Sequence, residues 1–248
     1  MRPVWDVTLS GMDIPVHRKI WEWAFIAATL ERHHLITPGL RGLGFGVGKE
    51  PLVSLFASQG CLVTASDQSV EEAVTSGWTA SNQFAGNVNR MNEHGLCDPE
   101  LFDRLVNFRT VDMRNIPDDL RDFDFTWSSC AFEHLGTIED GIGFIVNQTE
   151  CLRPGGLAVH TTEFNVSSNA GTISSGSTVL FREKDLKLIA KKLKRRGNSV
   201  TMDFRLGTSE FDRHVDRPPW SGAHLRLEHE GYEVTSYAVV VRKGTRSK

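Results

Sequence analysis

Little in this sequence points to a charged partner. Its 28 lysines and arginines against 31 aspartates and glutamates leave a formal charge of −3. Such a balance supplies no global basic field for nucleic acid or an anionic membrane surface. Long hydrophobic runs are missing too: the stretch Trp21 to Leu30 is too short to span a bilayer and carries Glu22. No apolar leader is evident at the N-terminus, so the expected compartment is the cytoplasm. Cysteine is scarce, and Cys61, Cys97, Cys130 and Cys151 form no CxxC pair or zinc-like spacing. Three of them lie in apolar segments, where a free thiol behaves as a small hydrophobe. Internal repeats and a coiled-coil period are also lacking. What remains is ordinary globular material, 248 residues with 40% hydrophobic and 24% charged, long enough for one large α/β domain.

The most informative stretch is Leu40 to Leu52, where Gly42, Gly44, Gly46 and Gly48 alternate with apolar residues and Pro51 precedes another apolar run. It reads as a strand, a glycine turn and a helix start, with Pro51 suited to the first helical turn. Glycines at this spacing let the backbone turn tightly and approach a ligand. A nucleotide-like group can then sit over the free N–H groups of the helix N-terminus. A glycine turn kept only for packing is the competing reading.

Along the chain, apolar spacing predicts a helix over 16–33, with Trp21 in the core, and strands at 40–45 and 61–66, the latter ending at Asp67. Helical material is expected from Ser69 to about Thr75, and again over 99–105. Further strands are expected at 106–111, 123–129, 157–164, 200–206 and 232–241. Helices at 138–152 and 183–196 separate them, the first stopping at Pro154-Gly155-Gly156. Residues 165–180, rich in Ser, Thr, Gly and Asn, read as a surface loop or lid. The basic run Lys191 to Arg196 closes a helix, where cations complement the C-terminal dipole; a nucleic-acid patch is the lesser reading. Strands alternating with helices predict a mostly parallel, doubly wound sheet whose ligands lie beyond the carboxyl ends of the strands.

Four motifs in order then carry a resemblance. They are Gly44-Phe45-Gly46-Val47-Gly48 after the first strand, Asp67 after the second, Val111 to Pro117 after the third, and Cys151-Leu152-Arg153-Pro154-Gly155-Gly156 before the fifth. Together they resemble class I S-adenosylmethionine-dependent methyltransferases over nearly the whole chain, and more loosely the bacterial enzymes that act on sugars and other small molecules. The resemblance implies a Rossmann-like seven-stranded sheet with an antiparallel last strand between strands five and six. It implies a single domain, with a helical cap at 1–37, a cofactor-binding core at 38–164 and a substrate-side loop and C-terminal strands at 165–248. It assigns the cofactor to Gly44, Phe45, Gly46, Gly48, Glu50, Asp67, Asp112, Met113 and Ser128. The family's acid two positions before the first glycine is here Gly42, so Glu50 either replaces it or complements the helix N-terminus. Arg18, Trp21 and Glu22 could close over the cofactor carboxylate.

The carboxylate of Asp67 suits a pair of ribose hydroxyls, and Asp112 with Met113 suits the edge and face of adenine; an exposed strand-end acid and a cap for the following turn are the competing readings. For the acceptor, Glu133, His134, Glu163 and His160 fall at the ends of the fourth and fifth strands; His134 reads as a general base, from its unperturbed pKa, or equally as a histidine bonded within its turn. The run Asp212 to Trp220 groups acids, His214 and an aromatic. It reads as a polyol-binding surface, as a divalent cation site such as Mg from Glu163, His214 and Asp216, or as a salt-bridged loop. The leading expectation is transfer of a methyl group from S-adenosylmethionine to a hydroxyl of a sugar-like small molecule, without nucleic acid or membrane. An N- or C-methyltransferase, a nicotinamide enzyme on the same glycine turn and a non-catalytic binding protein are the alternatives. The helix at 16–33 and the loop at 165–180 could each be a lid or a homodimer contact.

Overall fold

A computed structural model describes residues 17–69, 88–220 and 224–245. Five strands run parallel: β1 (Arg41–Phe45), β2 (Leu62–Asp67), β3 (Val106–Thr110), β4 (Phe123–Ser129) and β5 (Leu152–Asn165). The long β9 (Tyr232–Arg242) pairs antiparallel with β5. Its other edge takes β6 (Ser199–Thr201) and β8 (Arg226–His229), both antiparallel, and β7 (Val215–Asp216) lies parallel beyond β8. The order across the sheet is β3-β2-β1-β4-β5-β9-β8-β7. The antiparallel strand beside β5 is as expected. The sheet has nine strands among the described residues rather than seven, because the segment after residue 206 adds β7 and β8.

Helix α1 (Arg18–Arg32) lies against β4, β5 and β9; α2 (Leu52–Ser58), α3 (Pro99–Leu105), α4 (Ile138–Asn147), α5 (Glu183–Arg195) and the short α6 (Glu210–Arg213) follow in order. Two buried clusters sandwich the sheet. Leu43 and Phe45 point toward α4 and α5, packing with Phe144, Ile145, Leu186 and Ile189. Phe125 and Trp127 point the other way, with Phe56 of α2 and Ile26 and Leu30 of α1. That alternation is the two-residue period of a strand buried on both faces.

The strand glycines have a packing cause. Gly42 and Gly44 lie opposite Phe125 and Trp127 in the β1–β4 register. A Cβ at Gly42 would meet the Phe125 ring at 2.4 Å, and one at Gly44 would meet Trp127 at 2.4 Å. The two rings fill the space that the glycines leave, and Phe56 meets both edge-on at 5.4 and 5.0 Å.

Several boundaries differ from expectation. The helix at 138 ends at Asn147, a 3-10 turn covers Gln148–Cys151, and β5 already begins at Leu152. The Pro-Gly-Gly segment is therefore an irregularity within β5, where Gly155 takes φ +78° and the register against β4 shifts. Strand six stops at Thr201. Trp21 is 39% exposed on the outer side of α1, its ring tilted against Phe25, while Glu22 is fully buried on the inner side. The helical material expected after Ser69 lies outside the described residues.

Candidate functional site

The turn after β1 uses Gly46 and Gly48 at φ +59° and +48°, a left-handed backbone that favours glycine. The Gly48 N–H donates to Asp67 Oδ2 at 3.1 Å and the Gln68 N–H to Oδ1 at 2.8 Å. The β2 carboxylate is thereby pinned beside the glycine turn. Burial pushes the Asp67 carboxyl up, and the two backbone N–H groups hold it back. Each of its oxygens keeps a second lone pair for a ligand hydroxyl. Met113 closes the other side, its sulfur 3.6 Å from where a Gly46 Cβ would stand. Gly46, Gly48, Asp67 and Met113 are thus brought together as expected. Asp112 adjoins them, but its Oδ1 accepts from the Arg114 backbone N–H at 2.9 Å and side-chain Nε at 3.0 Å, so it also caps its own turn.

Three other expected cofactor residues are placed elsewhere. Gly44 faces Trp127 and Val47 inside the core. Phe45 is fully buried against Phe144, edge-on at 5.1 Å. Ser128 is fully buried and bonded to His160 Nδ1 at 2.8 Å. Each belongs to the packing of the sheet because strand residues alternate between two covered faces.

At the carboxyl ends of β4 and β5, α1 completes a buried polar cluster. Arg18 Nη1 donates to Glu163 Oε1. Glu22 receives the Ser129 hydroxyl at 3.0 Å, the Cys130 thiol at 3.0 Å and the Ser236 hydroxyl, with Lys19 Nζ at 3.3 Å. Burial opposes the Glu22 charge, but Lys19, Arg18 and these donors win and hold its carboxyl below the usual range. Glu133 is fully buried; its Oε2 accepts from Thr162 Oγ1 at 3.1 Å. Burial and then Glu163 push the Glu133 carboxyl up to about 8. Burial likewise pushes Glu50 up to about 8, with Lys19 opposing. Enclosed oxygens of Glu50 (Oε2), Glu133 (Oε1) and Glu163 (Oε2), and Arg18 Nε, have no hydrogen-bond partner among the described residues. The Cys130 thiol, raised well above its ordinary value by burial and by Glu133 and Glu22, is inert.

The expected acceptor-side residues divide. Glu133 and Glu163 meet here. His134 stands beside them, but its Nδ1 bonds the Ser177 carbonyl at 2.8 Å and burial lowers its pKa to about 4. It is a loop anchor rather than a base poised near neutrality. His160 is buried against Phe144, its pKa lowered to about 3 by burial. His214 is exposed at the end of α6, its N–H on the Glu210 carbonyl at 3.0 Å. Asp216 is bonded to His224 at 2.9 Å, and β7 lies three strands from β5, about 14 Å at the usual strand spacing. The expected ion site of Glu163, His214 and Asp216 therefore does not assemble. Among the described residues the group with ligand spacing is Cys130, Glu133 and Glu163, its atoms within 4.8 Å of one another, and there Arg18 already supplies positive charge to Glu163. No helix among the described residues is long and apolar enough to cross a membrane.

Sequence reasoning named Arg18 and Glu22 only as closers over the cofactor and left out Lys19, Ser129, Cys130 and Ser236. A signal for Glu22 exists: it shares the 22, 26, 30 stripe with Ile26 and Leu30, so a charge lies on the buried face.

These residues fit S-adenosylmethionine on their own chemistry. The cofactor carries two positive groups, and the site holds enclosed carboxylate oxygens that have no donor among the described residues. Known folds agree. The chain matches a protein described as a sarcosine dimethylglycine methyltransferase from Galdieria sulphuraria, at 14% identity and TM-score 0.58, over 92% of this chain and 86% of that one. It matches magnesium protoporphyrin IX methyltransferase from Synechocystis PCC 6803, with bound SAH, at 15% identity and TM-score 0.56, over 97% and 93%. It also matches an S-adenosylmethionine-dependent methyltransferase from Mesorhizobium loti at 15% identity and TM-score 0.54, over 88% and 97%. No family model and no curated protein matches the sequence. The fold is therefore the Rossmann-like α/β fold of class I methyltransferases, mostly parallel with antiparallel strands at one end.

Proposed function

We propose that this chain transfers a methyl group from S-adenosylmethionine to a hydroxyl of a small, sugar-like molecule, with Glu133 as general base. One observation carries the reading: a fully buried carboxyl, raised to about 8, with an unpartnered oxygen at the strand ends where this fold binds ligands. When bound, the cofactor supplies an activated methyl group on its sulfonium. Asp67 accepts the ribose hydroxyls, Gly46 and Gly48 bring backbone close, and Met113 covers the base. Thr162 holds Oε2 of Glu133, leaving Oε1 to take the acceptor's proton. A base with this pKa is well matched to work near neutrality, whereas His134 is spent on Ser177. Trp220 stands apart from this carboxyl, its ring 53% exposed and its Nε1 anchored at 3.1 Å on the Glu228 carbonyl of β8, two strands from β5.

The test is methyl transfer from labelled cofactor to a panel of polyhydroxylated acceptors. Glu133→Gln should lower kcat by roughly 10²–10⁴-fold while retaining binding of the demethylated product. Transfer confined to amines would reject the hydroxyl acceptor, and full activity in Glu133→Gln would reject the base.

A further inference from the structure

The cluster between α1, the glycine turn and the ends of β4 and β5 does not balance its charge. Among the described residues it gathers the carboxylates of Glu22, Glu50, Glu133 and Glu163 against the cations Arg18 and Lys19. Glu163 has Arg18, and Glu22 has Lys19 with three hydroxyl or thiol donors. Glu50 and Glu133 are the surplus, each with an enclosed oxygen that takes no hydrogen bond from the described residues. Glu133 has one oxygen held by Thr162, and Glu50 is met by Lys19, Trp23 and Ser129; with the other oxygen enclosed and bare, each is costly as an anion and waits for a proton or a cation.

We propose that Glu50 and Glu133 are the counter-ions of the cofactor's ammonium and sulfonium, and that each gives up a proton when those charges enter. The inference rests on the S-adenosylmethionine reading above and adds a proton inventory to it. Glu50 belongs with the ammonium because it directly follows the glycine turn, facing Lys19 and Glu22 of α1 and Ser129 of β4. Glu133 belongs with the sulfonium because the same carboxyl faces the acceptor's proton. Its titratable neighbours are Glu163 on β5, Arg18, Lys19 and Glu22 on α1, Cys130 after β4, and His134, whose Nε2 is 3.9 Å away.

The demethylated product keeps the ammonium but has a neutral thioether. It should therefore displace the Glu50 proton alone. Below about pH 8, preference for the cofactor over its product should grow by about tenfold per pH unit, the slope set by one extra proton released. A Glu133 that has just taken the acceptor's proton then matches the neutral thioether of the product complex.

The experiment is calorimetric titration of the whole chain with S-adenosylmethionine and with S-adenosylhomocysteine at pH 7, in buffers of different ionisation heat. Buffer dependence should report about two protons released by the first ligand and about one by the second. Glu50→Gln should remove one from both, and Glu133→Gln one from the first alone. Two ligands that bind with equal proton release, or none, would overturn the counter-ion assignment and leave the cofactor reading standing. If neither ligand binds, both fall. The wild-type chain alone decides between these outcomes.

Discussion

Arg18 and Glu163 are 145 positions apart and form the ion pair that fastens the first turn of α1 to the end of β5. The pair is mostly buried, with side chains 17% and 9% exposed, and the Arg18 N–H also donates to the His224 carbonyl at 2.9 Å. The helix that brings Arg18, Lys19 and Glu22 is thus part of the site's wall. Removing one partner of such a pair leaves an uncompensated buried charge, costing about 3–5 kcal/mol. Arg18→Gln should lower the urea midpoint accordingly. Adding Glu163→Gln should recover most of the loss. A single variant as stable as the wild type would contradict the latch.

Gly44 and Asp67 should separate folding from binding. Gly44→Ala drives a Cβ into Trp127 and should cost about 1–3 kcal/mol or more, with product affinity unchanged in the folded fraction. Asp67→Asn should fold but weaken product binding by about 10–100-fold, the loss of a charged hydrogen-bond acceptor. Denaturation and equilibrium binding on the same samples check both. Unchanged affinity in Asp67→Asn would remove the ribose assignment.

Glu50 and Glu133 should shape stability against pH. Free glutamates ionise near 4.5, whereas these two hold their protons to about 8. Between those values the native state binds protons that the unfolded state lacks. Their contribution is therefore full below about 4.5 and is lost as pH rises toward 8, at roughly 1.4 kcal/mol per unit for each group. His134, lowered from 6.5 to about 4, acts the other way and costs stability as pH falls below 6.5. Glu50→Gln and Glu133→Gln should therefore flatten the fall in melting temperature between pH 6.5 and 8. Profiles parallel to wild type would show that these carboxyls are already ionised.

His134 and His214 should matter less to chemistry than Glu133. His134→Gln should leave the pH–rate profile in place and affect mainly the loop around Ser177. His214→Ala, at an exposed helix end, should be near neutral in both stability and kcat. A profile that moves with His134 would restore it as the base.

The strand-and-helix order was legible because the central elements have strong patterns. Phe123–Ser129 and Pro99–Leu105 coincide with their expected bounds, and the Asp67 and glycine-turn juxtaposition follows from local spacing. The roles of Gly44, Phe45 and Ser128 were not legible, since glycines that admit rings across a strand pair look the same as glycines that admit a ligand. The wall from α1 was hidden for another reason. Arg18 and Glu163 meet only through tertiary docking, and the many apolar residues of α1 disguised which face is buried. His134 looked like a base from its type, but desolvation and the Ser177 carbonyl decide its state.

The central claim, a cofactor site closed by Asp67 and the glycine turn, is tested most directly by equilibrium dialysis of labelled S-adenosylmethionine against the wild type and Asp67→Ala. Saturable binding with Kd in the micromolar range, an ordinary affinity for a small-molecule site, lost at least about tenfold in the variant, is the result expected. No saturable binding to the wild type, or equal binding to both, would contradict the account.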